Sequence, residues 1–191
     1  MKIVIIGGVA AGMSAAAKAK RSCPNASIIV IEQGQDIAYG ACGLPYYVGG
    51  YNNDMELMRI RGVEEFRRSG IDVRLGQEVF SVDPAQKTLT VSSLTETYEE
   101  SYDKLLIATG AGAVIPAVEG VQAAGVFVLK NLVDGAALKA AVDQEAVKNV
   151  VIIGGGYIGI EVAEAMTAKG KNVAVVEAAD RILSGFDECL I

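Results

Sequence analysis

The sequence predicts an α/β protein with one Rossmann-like unit and the start of a second. Three observations support this fold class. The pentapeptide VIIGG at residues 4–8 recurs at residues 151–155. Each copy continues with a glycine-rich turn, an alanine-rich stretch and a second apolar run that ends in glutamate. Glycine, at 22 of 191 residues, is abundant without low complexity, as expected where backbone turns approach a ligand closely.

The strands are predicted from short apolar runs. Ile3–Ile6 is a continuous run of β-branched residues, which is typical of a parallel strand buried on both faces. Ile28–Glu32 and Val173–Glu177 are the second strands of the two copies. A further buried strand covers Leu105–Ile107, and another begins at Glu78.

The glycine-rich turns have the spacing of dinucleotide-binding motifs. Missing side chains let a pyrophosphate approach the backbone, and the helix that follows offers free N–H groups and a positive dipole. A carboxylate about 20 residues later binds ribose hydroxyls. The second copy has the full G-x-G-x-x-G pattern, whereas Val9 replaces the middle glycine of the first. The residues expected to bind nucleotide are Gly7, Gly8, Gly12 and Glu32 in the first copy, and Gly154, Gly156, Gly159 and Glu177 in the second.

Composition and charge exclude several classes of function. The chain has 17 Lys and Arg against 23 Asp and Glu, a net charge of −6, which is unlike a nucleic-acid-binding protein. It has no histidine, which excludes Ser-His-Asp triads and histidine-ligated zinc within this chain. No apolar run approaches the ~20 residues of a membrane span. Three scattered cysteines predict no disulfide scaffold and no metal site, and their odd number favours a reducing, cytoplasmic compartment.

Cys42 is the candidate redox residue. It precedes Pro45, and proline is favoured in the first turn of a helix. A thiol at a helix N-terminus ionises more readily, because the dipole and the free N–H groups stabilise the thiolate. No C-x-x-C or C-x₄-C dithiol is present, so the thiol would form a mixed disulfide with a small thiol or be oxidised to sulfenic acid. The alternative is an inert buried cysteine, and Cys23 and Cys189 have no comparable setting.

Four segments share a specific combination of motifs. They read GGVAAGMSAAAKAKR at residues 7–21, YGACGLPYYVG at 39–49, YDKLLIATGA at 102–111 and GGGYIGIEVAEA at 154–165. Together they resemble the single-cysteine branch of the pyridine nucleotide-disulfide oxidoreductases. This branch includes coenzyme A disulfide reductases, NADH oxidases and NADH peroxidases. The resemblance extends from Met1 to about Arg181.

The resemblance implies that the first glycine-rich unit binds FAD and the second binds NAD(P)H. It implies an FAD-binding domain at residues 1–112, a crossover and linker at 113–148, and a truncated NAD(P)-binding βαβ unit at 149–191. Glu177 favours NADH over NADPH because a carboxylate repels a 2′-phosphate, although Arg181 lies close in sequence. The further cofactor contacts that it implies are Val9, Ala10, Ala11, Gln33, Val79, Ala108, Thr109 and Gly110 for FAD, and Tyr157, Ile158 and Glu161 for NAD(P)H.

The implied activity passes electrons from NAD(P)H through flavin to Cys42 and then to a small-thiol disulfide such as coenzyme A disulfide. The family pattern S-F-x-x-C-x-x-P is kept at Cys42 and Pro45, but Ala38 and Tyr39 replace the serine and the phenylalanine. Relatives that act as peroxidases and oxidases have a histidine where this chain has Ala10, which favours disulfide reduction. Two alternatives stay open. One is an NADH oxidase or peroxidase that uses a cysteine sulfenic acid, and the other is a non-catalytic nucleotide-binding fragment.

Ser14, Lys18 and Arg21 are the candidate substrate residues, since their spacing places them on one face of the first helix. In coenzyme A disulfide reductases this face meets the phosphates and the pantetheine arm. The alternative is a solvated basic helix end. A second basic stretch lies on and before a predicted helix at about Val63–Ser69, and it could form an anion site or simply be surface. Its members are Arg59, Arg61, Arg67 and Arg68.

The second unit ends soon after its second strand, and family members are more than twice this long. The chain is therefore expected to be an N-terminal piece that is inactive by itself. An incomplete sheet exposes apolar edges, which predicts a homodimer or a self-associating fragment. No nucleic-acid or membrane partner is expected.

Overall fold

The structure, a computed structural model, describes residues 1–187. It confirms the predicted α/β fold, and two 3-10 turns, Ala41–Gly43 and Met55–Met58, flank the second helix. In chain order the elements are β1 (Lys2–Ile6), α1 (Ala10–Ser22), β2 (Ser27–Glu32), α2 (Leu44–Gly49), α3 (Val63–Arg68), β3 (Ile71–Leu75), β4 (Glu78–Asp83), β5 (Thr88–Ser92), β6 (Thr97–Ser101), β7 (Lys104–Ile107), α4 (Leu132–Val142), β8 (Asn149–Ile153), α5 (Tyr157–Ala168) and β9 (Asn172–Val176).

The chain divides into two compact units. The first comprises Met1–Gly40 and Arg59–Ala111, and the second comprises Ala41–Met58 and the residues from Gly112 onward. The segment Ala41–Met58 belongs to the second unit because α2 packs on α4 and α5. The domain limits inferred from the sequence, 1–112, 113–148 and 149–191, follow the nucleotide motifs instead and remain a prediction.

A parallel four-stranded sheet in the order β3-β2-β1-β7 is the centre of the first unit. Because all its strands are parallel, their carboxyl ends share one edge, and both β1 and β7 end there in small-residue turns. One face of the sheet packs on α1 and α3. The other face packs on the antiparallel meander β4-β5-β6, through a cluster of five buried residues: Val4, Ile29, Ile31, Leu89 and Val91.

Glu100 on β6 joins the meander to the parallel sheet. It is buried, and its carboxylate accepts hydrogen bonds from Lys2 on β1 and from Arg74 on β3, the latter at 2.6 Å. Arg74 also bonds Asp72 at 2.8 Å and the hydroxyl of Tyr98 at 3.0 Å. Burial raises the pKa of Glu100, but the hydrogen bonds from Lys2 and Arg74 outweigh it, so the pKa lies below its ordinary value.

We expect Glu100→Gln to lower the free energy of unfolding by about 2 kcal/mol at neutral pH, because Lys2 and Arg74 lose a buried anionic partner. Since the folded-state pKa is depressed, this stabilisation is present above the unfolded-state pKa and is lost as the pH falls through the folded-state value. Urea unfolding at pH 7 and below about 4 measures both effects. Glu99→Gln, at the exposed neighbouring position of β6, is the control. Equal losses in the two variants would contradict the assignment.

The second unit contains the parallel pair β8–β9, with α5 packed against it. Helix α2 lies close to both of its neighbours. A Cβ atom on Gly49 would lie 2.9 Å from Cβ of Ala165 on α5, and one on Gly135 of α4 would lie 2.7 Å from Cδ2 of Leu44. These two glycines let α2 approach α4 and α5 closely.

The predicted strands and the predicted helix are present with small shifts of their ends. The helix expected at about Val63–Ser69 is α3, and the strand expected from Glu78 is β4. The strand expected at Val173–Glu177 is β9, which ends one residue earlier, at Val176. In the first unit β2 continues to Glu32 because Glu32 pairs with Leu75 of β3, whereas in the described residues β9 pairs only with β8 and only as far as Val176.

Candidate functional site

Gly7 ends β1 and begins the first glycine-rich turn. Its φ is +102°, a region that favours glycine, and its N–H donates to the carbonyl oxygen of Ile31 at 2.8 Å. A Cβ atom here would lie 2.3 Å from the carbonyl oxygen of Ala108. The turn therefore packs backbone to backbone against the end of β7, and only glycine fits at this position.

Gly12 brings α1 directly onto the turn, since a Cβ atom on it would lie 1.8 Å from the carbonyl oxygen of Gly7. Helix α1 begins at Ala10 without a side-chain cap. Helix α4, by contrast, is capped by Asn131, whose side chain accepts from the N–H of Asp134 at 2.9 Å. The first N–H groups of α1 are thus left for a ligand, and an anion is the ligand they favour.

Glu32 ends β2 beside this turn. Its carboxylate accepts hydrogen bonds from the N–H of Gly8 at 2.6 Å and from the N–H of Gly34 at 2.7 Å. The two bonds hold the carboxylate at the position where the sequence predicts contact with ribose hydroxyls. Gln33, the next residue, is exposed.

The second glycine-rich turn repeats this geometry. Gly154 has a φ of +105° and donates to the carbonyl oxygen of Val176 at 2.8 Å. A Cβ atom on Gly159 would lie 2.0 Å from the carbonyl oxygen of Gly154, and α5 begins at Tyr157 without a side-chain cap. A Cβ atom on Gly156 would meet only open space. This open side of the turn is the approach that a pyrophosphate needs.

Glu177 is the counterpart of Glu32. Its carboxylate accepts from the N–H of Gly155 at 2.6 Å and from the N–H of Ala179 at 2.9 Å. Backbone hydrogen bonds from Ala179 and Gly155 hold the pKa of Glu177 below its ordinary value, against a smaller opposing effect of burial. Both turns therefore offer an uncapped helix N-terminus and a fixed carboxylate, a donor and acceptor set that fits the pyrophosphate and ribose of a dinucleotide.

The predicted second flavin contact lies where β7 ends. The N–H of Ala108 donates to the carbonyl oxygen of Ile6 at 2.8 Å, so this end lies at the same sheet edge as the first turn. Thr109 and Gly110 follow and are exposed. Val79 lies on β4, half-buried against the cluster beneath the sheet. Their contacts with FAD remain a prediction.

Cys42 is exposed and lies in the 3-10 turn that leads into α2. Pro45 occupies the first turn of α2, as the sequence predicts. A Cβ atom on Gly43 would lie 3.4 Å from the terminal methyl of Met58, so the turn packs against that side chain. The thiol is therefore accessible to a dissolved disulfide at the start of a helix. Its redox role remains a prediction.

Cys23 has a different setting. Its N–H donates to the carbonyl oxygen of Ala19 at 2.8 Å, and its carbonyl accepts from the N–H of Ala26 at 2.9 Å. Its side chain is half-buried against the core of the first unit. Cys23 therefore ends α1 and packs there, and Cys189 lies outside the described residues.

The further residues predicted to contact NAD(P)H lie in the first half of α5. Tyr157 is exposed, and its ring contacts that of Phe186 with the centroids 5.2 Å apart. Ile158 is also exposed. Glu161 lines a small pocket between α2 and α5 together with Tyr46.

The three candidate substrate residues form an exposed stripe along α1. Met13 and Ala16 face the sheet, while Ser14, Lys18 and Arg21 face outward. Within residues 1–187 no carboxylate pairs with Lys18 or Arg21. Their two charges are available to an anionic ligand.

The second basic stretch belongs to the surface. Each of its four arginines has a local partner. The partners are Asp36 for Arg59, Glu65 for Arg61, Glu64 for Arg67 and the carbonyl oxygen of Glu64 for Arg68. The structure therefore supports the surface alternative rather than an anion site.

Two segments that fold back on the glycine-rich turns have no role predicted from the sequence. Ile37 lies against Gly8, and Ile182 lies against Gly155. The sequence does contain a pattern that could have revealed them, because each isoleucine follows its nucleotide-site glutamate by five residues, as Glu32 and Ile37 show. The pattern becomes visible only when the two copies are aligned with each other.

Residues 1–187 contain no helix that is both long and apolar enough to cross a membrane. The same range holds no group of three or more acidic or cysteine side chains arranged to bind a metal ion.

Comparison with known proteins identifies one family. The family model described as pyridine nucleotide-disulphide oxidoreductase matches residues 1–191. A curated relative, the NAD(P)H coenzyme A polysulfide/persulfide reductase of Pyrococcus horikoshii, is 41% identical over 182 residues, which is 95% of this chain and 40% of the relative. The chain thus spans about 40% of the length of this relative.

Two solved structures are similar in fold and in sequence. Reduced Bacillus anthracis CoADR-RHD superimposes with a TM-score of 0.93 and 36% identity, over 97% of this chain and 34% of the other. The water-forming NADH oxidase from Lactobacillus brevis, bound to NADH, superimposes with a TM-score of 0.91 and 33% identity, over 96% of this chain and 41% of the other.

Proposed function

The chain belongs to the pyridine nucleotide-disulphide oxidoreductase family, whose cofactor is FAD, and we propose that the full-length protein containing this chain reduces a small-thiol disulfide with electrons from NAD(P)H. In this proposal the turn at Gly7–Gly12 binds FAD and the turn at Gly154–Gly159 binds NAD(P)H. Cys42 exchanges with the disulfide. The similarity to a coenzyme A polysulfide/persulfide reductase and to CoADR-RHD supports a coenzyme A compound as the substrate.

The proposed chemistry at Cys42 is thiol–disulfide exchange. Its thiolate attacks one sulfur of the disulfide, so that a mixed disulfide with Cys42 forms and one thiolate leaves. Two electrons and a proton then reduce the mixed disulfide, which restores the Cys42 thiolate and releases the second thiol. FAD, when bound, supplies the transfer of these electrons from the nicotinamide. The exposure of Cys42 at the start of α2 is the observation that supports this role most strongly.

A turnover assay on the full-length protein that contains this chain tests the proposal. We expect the purified protein to show the visible absorption of bound flavin and to oxidise NADH only when coenzyme A disulfide is present. A protein that holds no flavin after reconstitution would overturn the proposal. NADH oxidation at the same rate without any disulfide would overturn it in favour of an oxidase.

The exposed stripe on α1 is proposed to bind the phosphates of the substrate, since Lys18 and Arg21 are exposed and have no carboxylate partner within residues 1–187. We expect Lys18→Glu to raise the KM for coenzyme A disulfide about tenfold with little change in kcat. The KM for an uncharged disulfide, 2-hydroxyethyl disulfide, should stay the same. Steady-state kinetics with both substrates measures this. Lys20→Glu, on the same helix but outside the stripe, is the control, and equal effects of the two variants would contradict the assignment.

The second site is proposed to prefer NADH. Hydrogen bonds from Ala179 and Gly155 keep the Glu177 carboxylate ionised and fixed beside the turn. A fixed negative charge accepts the ribose hydroxyls of NADH and repels the 2′-phosphate of NADPH. Arg181 follows four residues later, and its guanidinium donates to the carbonyl oxygens of Ser184 and Phe186.

An NADH oxidase is the second candidate function, favoured by the similarity to the water-forming enzyme of Lactobacillus brevis. In that case Cys42 would cycle between thiolate and sulfenic acid. The alanine at position 10 supports the reductase instead, because the sequence resemblance places a histidine there in oxidases. Formation of water or peroxide in proportion to the NADH consumed would establish the oxidase.

We propose that two copies of this 191-residue chain associate through one face of the β8–β9 pair. Val151, Ile153 and Val176 share this face and are 64%, 69% and 55% exposed. Because contiguous exposed apolar surface promotes association, we expect light scattering to show dimers or larger species. Replacing both Val151 and Ile153 by threonine should shift the population toward monomer. A monomeric parent chain at high concentration would contradict this.

A further inference from the structure

Each glycine-rich turn is held by a segment that returns to it after the nucleotide-site glutamate. In the first unit, Cγ2 of Ile37 would lie 2.7 Å from a Cβ atom on Gly8, and the N–H of Ala38 donates to the carbonyl oxygen of Gly8 at 2.9 Å. Glu32 accepts the N–H of the same glycine. Both backbone groups of Gly8 are therefore bonded within the protein, and Gly8 is buried.

The second unit has the same contacts. Cγ2 of Ile182 would lie 2.6 Å from a Cβ atom on Gly155, and the N–H of Leu183 donates to the carbonyl oxygen of Gly155 at 2.8 Å. Glu177 accepts the N–H of Gly155, which is also buried. Corresponding distances in the two units agree within 0.1 Å.

The backbone of the two segments is unusual in the same way. Ala38 and Leu183 both have a φ of +48°, and in the described part of the chain Lys87 is the one other non-glycine residue with positive φ. A residue with a side chain enters this left-handed region only at an energetic cost, so such conformations mark places where the surroundings impose them. In both units the conformation directs the residue's N–H back to the glycine carbonyl.

We propose that Ile37–Ala38 and Ile182–Leu183 are equivalent positioning segments, each of which sets the affinity of its own turn for a nucleotide. The glycine at the centre of each segment's contacts is fixed on three sides, by the glutamate, the isoleucine and the left-handed residue. This holds the turn so that the N–H groups at the start of α1 and α5 face the pyrophosphate. The inference rests on the proposed function, which assigns FAD to the first turn and NAD(P)H to the second.

Two isoleucine variants of the full-length protein test this, because each is a control for the other. Ile37→Ala should raise the dissociation constant for FAD about tenfold, measured by titrating apoprotein with FAD and following flavin fluorescence. It should leave the dissociation constant for NADH, measured by equilibrium dialysis on FAD-saturated protein, within about twofold. Ile182→Ala should raise the dissociation constant for NADH about tenfold and leave that for FAD within about twofold. Ile71→Ala, in the same core cluster as Ile37 but on β3, is the control for lost packing and should change neither constant.

Substitutions at Ala38 keep the test decisive if Ile37→Ala does not fold. Glycine adopts a φ of +48° without strain, so Ala38→Gly should retain FAD affinity, whereas the β-branched side chain in Ala38→Val should weaken it. The inference would be overturned if Ile37→Ala and Ile182→Ala each changed the dissociation constants of both nucleotides, or if neither variant changed either constant. It would also be overturned by an Ile71→Ala effect on FAD as large as that of Ile37→Ala, or by equal FAD affinities of the two Ala38 variants. A parent protein that binds neither nucleotide would instead overturn the proposed function.

Discussion

Replacing Cys42 by serine is expected to lower NAD(P)H-dependent disulfide turnover by at least about 10³-fold, because the hydroxyl is a far weaker nucleophile and cannot form a mixed disulfide. Bound FAD and its reduction by NAD(P)H should persist, since both glycine-rich turns are unchanged. Stopped-flow spectroscopy of the full-length protein separates the two steps. The method records the reduction of flavin by NAD(P)H first and the turnover of the disulfide afterwards.

Cys23→Ser is the matched control for the cysteine prediction. Cys23 is half-buried at the end of α1 and packs on the core of the first unit, so its replacement should leave turnover near that of the parent protein. Parental turnover in Cys42→Ser would refute the proposed role of this thiol. A loss of the same size in both variants would show that folding, rather than chemistry, had been measured.

Gly7→Ala is expected to have the largest effect on the first nucleotide site. The new methyl group would lie 2.3 Å from the carbonyl oxygen of Ala108, a backbone atom that cannot move without displacing β7. The φ of +102° adds strain for any residue with a side chain. Together these should lower the free energy of unfolding by about 4 kcal/mol and prevent retention of FAD.

Gly154→Ala separates the two causes. Its φ of +105° is nearly the same as that of Gly7, but a Cβ atom there meets nothing within 4 Å in the described structure. Backbone strain alone should lower the free energy of unfolding of Gly154→Ala by about 2 kcal/mol, and the variant should retain FAD. Chemical denaturation of both variants, with flavin content measured in parallel, makes the comparison. Equal destabilisation would mean that the close approach to β7 contributes nothing.

The glycine-rich turns could be predicted from the sequence because their chemistry is local. A buried strand, a turn without side chains and a helix follow one another within about 15 residues, and each has a clear signature. Glu32 and Glu177 could also be predicted, since both end strands at the expected distance. The exposed stripe on α1 followed from helical spacing, as Lys18 and Arg21 show.

The role of the two positioning segments could not be predicted in the same way. Ile37 and Ile182 read as ordinary apolar residues in loops, and nothing in the local sequence marks Ala38 or Leu183 as left-handed. Their role arises from hydrogen bonds to glycines about 30 residues earlier. The link through Glu100 was missed for the same reason, because its partners belong to two distant strands.

Mass spectrometry of the peptide that contains Cys42 tests the central claim most directly. The full-length protein is incubated with coenzyme A disulfide, freed of excess reagent and analysed before and after anaerobic addition of NADH. The account predicts one coenzyme A linked to Cys42 by a disulfide, which NADH removes with release of one thiol per protein chain. An unmodified Cys42, or a modification there that NADH does not remove, would contradict it.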